Sequence, residues 1–486
     1  MKSKMVLRQL LSLCTFSKTG EFKPGKTIDD MKRRRHDFMQ FTNFLCGYIL
    51  MIDLGANLTW PSPAMPYLTS KNSTIPMSNA QGALLAASTS ISGIIGLLLC
   101  PLIMDRIGRK YTILVLGLIQ LLSKILIYIA YNYTFLFVSR MMLSVGMMGT
   151  FAFLPLYIGE IAAENIRGRF LIFDKICANF GSFLTSIAGS FLAYNSMNLV
   201  MISIPIIAIL HFPLMEETPY YYLMKGREKE AIETLMKLSG ENRVEMVRAN
   251  TERMKNAIRE GRDSKKTSVI ELFSDRGSRR ALMIKMIAEI TYIFSGYHAI
   301  QTYAQEIFSN SGSSLAPGHS VMIMTGIQIF AGLPSYHVVD RWGRRPTFLL
   351  SGVLSALSLA IVGLFFFLKF FLKVDVSFFT WLPLVGLISF TFSCNIGLAT
   401  IPYVYRGELF SVKVKTVATM FSAIIAAILI SIAQISLPLL NDSIGIYSSF
   451  WIFASFCLVG STTVFCIAPE TKGKNLEEVI DLLRKK

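Results

Sequence analysis

A chain of 486 residues that is 52% hydrophobic and only 16% charged falls outside the soluble class, whose domains carry about a quarter charged residues. Its mean hydropathy of +0.50 and its apolar runs of about 20 residues call for helices that span a bilayer, and no short alternating strands of the barrel type appear. The formal net charge of +17 comes without the interleaved basic and aromatic pattern of a nucleic-acid binder, and attraction to anionic lipid headgroups accounts for it.

In chain order, residues 1–37 form a polar, basic cytoplasmic segment whose apolar patch is too short to span, and no cleavable signal peptide is evident. Six spans follow within 38–215, near 38–60, 79–103, 112–131, 134–158, 169–193 and 197–215. Residues 216–280 are rich in both charges and read as cytoplasmic linker helices, with amphipathic stretches at Arg227–Lys237 and Arg243–Arg259. Six more spans lie within 281–468, near 281–308, 319–339, 347–371, 378–405, 416–440 and 446–468, before a cytoplasmic tail at 469–486. The expected fold is all-α, with twelve transmembrane helices in two pseudo-symmetric six-helix halves.

Three charged phrases occur twice. Asp105-Arg106-Ile107-Gly108-Arg109-Lys110 is matched by Asp340-Arg341-Trp342-Gly343-Arg344-Arg345. Glu160 and Arg167 are matched by Glu408 and Lys415, seven positions apart in both copies, and Glu217-Thr218-Pro219 by Pro469-Glu470-Thr471. The phrases recur in one order at nearly one spacing, which reads as a duplicated membrane unit, an architecture used by transporters with the solute site between the repeats.

The basic loops all fall on one side of the predicted spans, including Lys32–Arg35, Arg106/Arg109/Lys110, Arg341/Arg344/Arg345 and the tail. Positive loops stay inside, so both termini are expected in the cytoplasm of a multi-pass cell-membrane protein. Sequons at Asn72 and Asn132 then face outward as glycosylation candidates, with Asn441 a further one. The seven cysteines contain no CxxC pair and read as apolar packing residues, and the five histidines show no metal-ligand spacing. No cofactor or metal is expected. No phosphate-cradling glycine loop is found, which argues against an ATP-driven pump, and no nucleophile, base and oxyanion set suggests an enzyme.

The duplicated Asp-Arg-x-Gly-Arg phrase resembles the signature of the major facilitator superfamily. Arg140, Pro155-x-Tyr157-x-x-Glu160, Arg167-Gly168, Glu217-Thr218-Pro219, Ser295-Gly296, Tyr303, Ile401-Pro402-Tyr403, Glu408-Leu409-Phe410 and Pro469-Glu470-Thr471-Lys472-Gly473 resemble phrases of its sugar porter family. Trp60-Pro61-Ser62-Pro63-Ala64 is most similar to insect facilitated trehalose and sugar carriers. The resemblance covers roughly residues 40–480 and implies a monomeric carrier of a small solute, a sugar of the hexose or trehalose kind, working by alternating access. It also implies that Asp105, Arg106, Arg109, Glu160, Arg167, Glu217, Asp340, Arg341, Arg344, Glu408, Lys415 and Glu470 act as gating charges that latch the cytoplasmic side. Topology and headgroup anchoring alone would explain the bases, but acids add nothing to the positive-inside rule.

The resemblance weakens at the solute site. The family's fifth-helix glutamine is replaced by Lys175, next to Asp174. Its seventh-helix Gln-Gln-x-Ser-Gly-x-Asn reads Tyr292-Ile293-Phe294-Ser295-Gly296-Tyr297-His298, and its tenth-helix tryptophan is Tyr403. Gln328 and Asn395 retain amides, and Ala426 stands at the eleventh-helix amide position. Positional match nominates Lys175, Tyr292, His298, Tyr303, Gln328, Asn395 and Tyr403 as solute contacts. Each buried hydroxyl left without its amide costs about 1–3 kcal/mol, so the losses point to an altered solute. Lys175 either meets an anionic solute or is neutralised by Asp174, Asp53 or Glu289. Asp53 with Arg140 is a candidate coupling pair, a proton switch or a static ion pair. The static pair and facilitated diffusion are the first reading. The alternatives are a carrier of a different, anionic small solute and a non-transporting sugar sensor.

Overall fold

The computed structural model describes residues 26–162, 164–239, 247–248, 251–256, 267–474 and 476–485. Residues 1–25 and most of the predicted helix at Arg243–Arg259 lie outside them. The first half contains α1 (Lys26–Thr59), α2 (Pro61–Leu68), α3 (Asn79–Ile107), α4 (Arg109–Tyr128), α5 (Tyr133–Ile161), α6 (Glu164–Phe191) and α7 (Tyr194–His211). Three short helices follow, α8 (Pro219–Met224), α9 (Glu228–Ser239) and α10 (Thr267–Ser274). The second half contains α11 (Arg276–Phe294), α12 (Tyr297–Thr302), α13 (Ala304–Ser311), α14 (Pro317–Ala331), α15 (Leu333–Trp342), α16 (Arg344–Phe366), α17 (Leu382–Ile396), α18 (Ile401–Glu408), α19 (Val412–Ser443) and α20 (Ile446–Ile467). An amphipathic tail helix, α21 (Leu476–Lys485), packs Val479 and Leu483 against the second half.

Local chemistry sets many of the boundaries. Ser78 and Gln81 close a reciprocal capping box on α3, with Gln81 N–H donating to Ser78 Oγ at 3.2 Å and Ser78 N–H to Gln81 Oε1 at 2.9 Å. Asn132 caps α5 through the Phe135 N–H at 2.8 Å. Among the described residues, eight helical stretches are long and apolar enough to cross a membrane. The other crossings are made by α1 with α2, by α6, by α11 to α13 and by α14 with α15. These segments carry charges or chain breaks that interrupt their apolar runs.

The sequence predicts unbroken seventh, eighth and tenth spans, and the structure corrects this. The seventh is interrupted at Gly296; the eighth at Gly332, before Pro334; the tenth between Gly397 and Thr400, before Pro402; the first ends at Trp60 as expected, and a short helix continues from Pro61. Proline removes a helix donor, and Gly296 takes φ 80°, a left-handed conformation that favours glycine. Irregular backbone is tolerated at membrane depth where it lines a cavity or is covered by protein.

Among the described residues two large apolar cores result, with a small third cluster of Ile293, Ala426 and Ala433 in the second half. One gathers buried residues from Phe44 to Met215, the other from Leu272 to Leu483. Each half therefore packs around its own core, with the start of α1, helix α21 and the basic loops at one end of the bundle, called here the basic end.

Candidate functional site

At the basic end, each half builds the same charge clamp from its duplicated phrases. In the first half, Arg109 at the start of α4 grips Glu160 at the end of α5 with Nε at 2.9 Å and Nη2 at 2.7 Å. In the second half, Arg344 at the start of α16 grips Glu408 at the end of α18 with Nε at 3.2 Å and Nη2 at 2.7 Å. These are forked, charge-assisted pairs. Asp105 lies 3.6 Å from Arg109, and Asp340 lies 3.3 Å from Arg344.

The third acid of each phrase works on backbone. Glu217 accepts the N–H groups of Arg109 and Lys110 at 2.9 and 3.1 Å. Glu470 accepts those of Arg344 and Arg345 at 2.9 and 3.0 Å. Each carboxylate thus satisfies the free donors at a helix start, where the helix dipole also favours negative charge. Gly108 (φ 94°) and Gly343 (φ 92°) are required twice over. They adopt the left-handed region, and a Cβ on either would run into the Glu217 or Glu470 carboxylate.

The clamps are internal to each half. Arg106, Arg341 and Lys415 are exposed and form no ion pair among the described residues, and the Arg167 side chain lies outside them. Apart from those along the α6–α14 seam, the polar contacts between halves among the described residues lie toward the opposite, far end. Gln301 Nε2 donates to Thr59 Oγ1 at 3.3 Å, Gln305 N–H to Ser62 Oγ at 3.1 Å, Ser431 Oγ to the Ala87 carbonyl at 3.1 Å, and Ser90 Oγ to Gln434 Oε1 at 3.4 Å. No hydrogen bond or ion pair joins the halves at the basic end among the described residues.

One seam shows where the closure stops. Helices α6 and α14 run antiparallel and meet in register, Ser190 against Gly318, Phe183 against Gly326, Asn179 against Gln328 and Lys175 against Gly332. The Asn179 amide donates to the Gln328 carbonyl at 3.1 Å, and the Gln328 amide reaches Asn179 Oδ1 at 3.3 Å. One helical turn further toward the basic end, a Cβ on Gly332 would stand 3.9 Å from Lys175 Nζ. There α14 ends, and Lys175 is exposed to the space between the halves.

Most of the nominated solute residues gather around this point. Gln328 Nε2 donates to the Tyr297 hydroxyl at 2.6 Å, and that hydroxyl also lies within reach of Asn395. Tyr292 and His298 pack against Tyr297, tilted and edge-on respectively, with ring centroids 5.5 and 5.6 Å away. Tyr403 is 50% exposed, nearer the basic end. Tyr303 is not part of the cluster. It is 5% exposed inside the second core, beyond α12, where its ring fills apolar space. Asn179 and Tyr297 were missed by family register alone. Asn179 stands one helical turn after Lys175, on the same face, a signal available in the sequence.

Two expected ion pairs are corrected. Asp53 is paired with Lys124 of α4 and also accepts from Asn57 at 3.2 Å, so Arg140 is not its partner. Arg140 instead lies over the Trp60 ring at 4.4 Å, with Nε and Nη1 unpartnered. Trp60 fills the position beside the guanidinium, and Lys124, overlooked because it is one lysine in an apolar run, supplies the cation. Lys175 is not neutralised by any of the proposed acids. Asp53 is held by Lys124, Glu289 is shared by Lys285 and Arg406, the latter at 3.1 Å, and Asp174 is near Tyr48 and Tyr403. Among the described residues there is no group of three or more His, Cys, Asp or Glu able to hold a metal.

The arrangement comprises two separately packed halves, far-end contacts and a polar cluster between them. A sequence profile described as "Sugar (and other) transporter" matches residues 40–483. The chain belongs to this family. It is a membrane transporter of the family rather than an enzyme. It is 28% identical over 472 residues to a facilitated trehalose transporter of Apis mellifera ligustica, a match covering 94% of this chain and 92% of that one. A facilitated trehalose transporter of Bombyx mori is also 28% identical, covering 90% of this chain and 86% of its own. The fold matches the inward-open xylose transporter of E. coli with a TM-score of 0.76 at 17% identity, covering 91% of this chain and 99% of that one. The partially occluded inward-open form of that protein gives a TM-score of 0.72 at 16% identity, covering 88% of this chain and 99% of its own.

Proposed function

We propose that this family member carries a sugar of the hexose or trehalose kind across the cell membrane by facilitated diffusion. The carrying observation is the asymmetric contact pattern between halves, sealed at the far end and unlinked at the basic end around Lys175 and Tyr403. Rocking of the halves about the fixed site is the way such repeats move solute. With the basic end taken as cytoplasmic by the positive-inside rule, this contact pattern supports reading the state as inward-facing and the termini as cytoplasmic. The chain acts as a monomer among anionic lipids and takes no nucleic acid. Asn72 and Asn132, both exposed at the far end, are the glycan acceptors.

The solute contacts are Lys175, Tyr292, His298, Gln328, Asn395 and Tyr403, with Asn179 and Tyr297 completing the polar wall. The Asp53–Lys124 pair favours uniport. Lys124 occupies the Asp53 carboxylate, which favours a static pair over a proton switch on the first span. Uptake of labelled glucose, xylose and trehalose into proteoliposomes, with and without a pH gradient, tests this reading. Equilibration of at least one sugar without accumulation is expected. Accumulation driven by the gradient contradicts uniport, and uptake of none contradicts the sugar reading.

A further inference from the structure

Most charges near the middle of the bundle are accounted for. Among the described residues the cations there are Lys124, Arg140, Lys175, Lys285 and Arg406, and the carboxylates Asp53, Asp174 and Glu289. Most of them are spent on each other. Lys124 holds Asp53, and Lys285 and Arg406 share Glu289. Arg140 is buried under Trp60, away from the open space.

Lys175 differs from all of these. It is exposed to the space between the halves, reaches across the seam to Gly332, and has no carboxylate partner among the described residues. Asp174 follows a different helix face, near Tyr48 and Tyr403, with Oδ1 unpartnered. Toward the basic end, Arg406 stacks on Tyr403 at 4.4 Å and leaves its Nε without a partner. An unpaired ammonium in a membrane interior is costly and marks a solute path. Its neighbours toward the far end are hydroxyl and amide groups: Asn179, Gln328, Tyr297 and Asn395.

We propose that the transported sugar bears one anionic group, a carboxylate or a phosphate, which seats on Lys175 while its hydroxyls meet the amide and tyrosine wall. This rests on the sugar-carrier reading and narrows its substrate class. Lysine binds carboxylate and phosphate as a point charge. The cation and the hydroxyl-binding groups sit one helical turn apart on α6, Lys175 and Asn179, about 6 Å along the axis, close to the span of a single hexose ring.

The test is competition for sugar counterflow in proteoliposomes. Glucuronate, glucose 6-phosphate, glucose and trehalose compete in turn, with acetate and inorganic phosphate as controls for simple anion binding. In the unaltered protein an acidic sugar is expected to compete about tenfold or more better than its neutral counterpart. Lys175→Gln should erase that preference, and Lys175→Arg should retain part of it. The relative potency of glucuronate and glucose 6-phosphate separates carboxylate from phosphate. Equal competition by neutral and acidic sugars, or a preference unchanged in Lys175→Gln, overturns the proposal while leaving sugar transport standing. Competition by acetate and phosphate as strong as by the acidic sugars overturns it too. Absence of counterflow with every sugar overturns it together with the sugar reading.

Discussion

In the first half Arg109 is 4% exposed and its partner Glu160 16%, whereas in the second half Arg344 is 13% exposed and Glu408 28%. Both share the forked Arg–Glu pair and the two backbone N–H groups taken by Glu217 and by Glu470, and the Thr471 hydroxyl adds a bond to Glu408 in the second half. Burial and these local donors set their electrostatics apart. At Glu217, desolvation outweighs the hydrogen bonds from Thr218, Arg109 and Lys110 and raises the carboxyl above its ordinary value. At Glu470, desolvation acts the same way but is overcome by bonds from Arg344, Arg345 and Lys472, and the carboxyl lies below its ordinary value. One sequence phrase thus makes a dry clamp and a wet one.

The largest separation is expected from removing the arginine. Arg109→Ala strands Glu160 in a buried site and should lower stability by about 3–5 kcal/mol. Arg344→Ala leaves a more hydrated acid and should cost less, about 1–3 kcal/mol. Thermal unfolding of the two purified variants measures the gap, and equal losses break the dry-and-wet distinction. Next in size are the helix-start glycines. Gly108→Ala and Gly343→Ala each force a left-handed alanine, worth about 1–2 kcal/mol, and each also displaces a capping carboxylate. The loss should be greater at Gly108, where Glu217 has less water to retreat into.

A pH series sharpens the comparison further. Glu470, with its lowered pKa, contributes stability present above the ordinary carboxylate range and lost as pH falls through its folded value. Glu217, with its raised pKa, takes up a proton earlier on acidification, and its contribution is greatest at low pH and declines as pH rises through the folded value. Glu470→Gln should therefore destabilise more than Glu217→Gln at pH 7.5, by about 1 kcal/mol, and the difference should shrink toward pH 4. A difference that is constant across that range contradicts the assignment. The smallest effect is expected at Arg106→Ala and Arg341→Ala, which should change stability by less than about 0.5 kcal/mol. If these exposed arginines latch the opposite state, both variants should still slow transport.

The duplicated phrases made the clamps readable in advance, because acids and bases at helix ends have few other uses. Span number followed from apolar runs, but the breaks at Gly296 and Gly332 did not, since one glycine in an apolar run looks like any other. The solute region was the least legible. Family register nominated Gln328, Asn395 and Lys175, which do converge, and also Tyr303, which packs in the core. Ion-pair partners across helices, such as Lys124 for Asp53, depend on helix rotation that hydropathy does not encode.

The central claim is a solute site between two halves, reached from the basic end in this state. Lys175→Cys, with a membrane-impermeant thiol reagent applied to either face of oriented vesicles, addresses it directly. The account predicts labelling from the cytoplasmic face that slows when a transported sugar is bound. Labelling from the outer face alone, or at a rate no sugar changes, would contradict it.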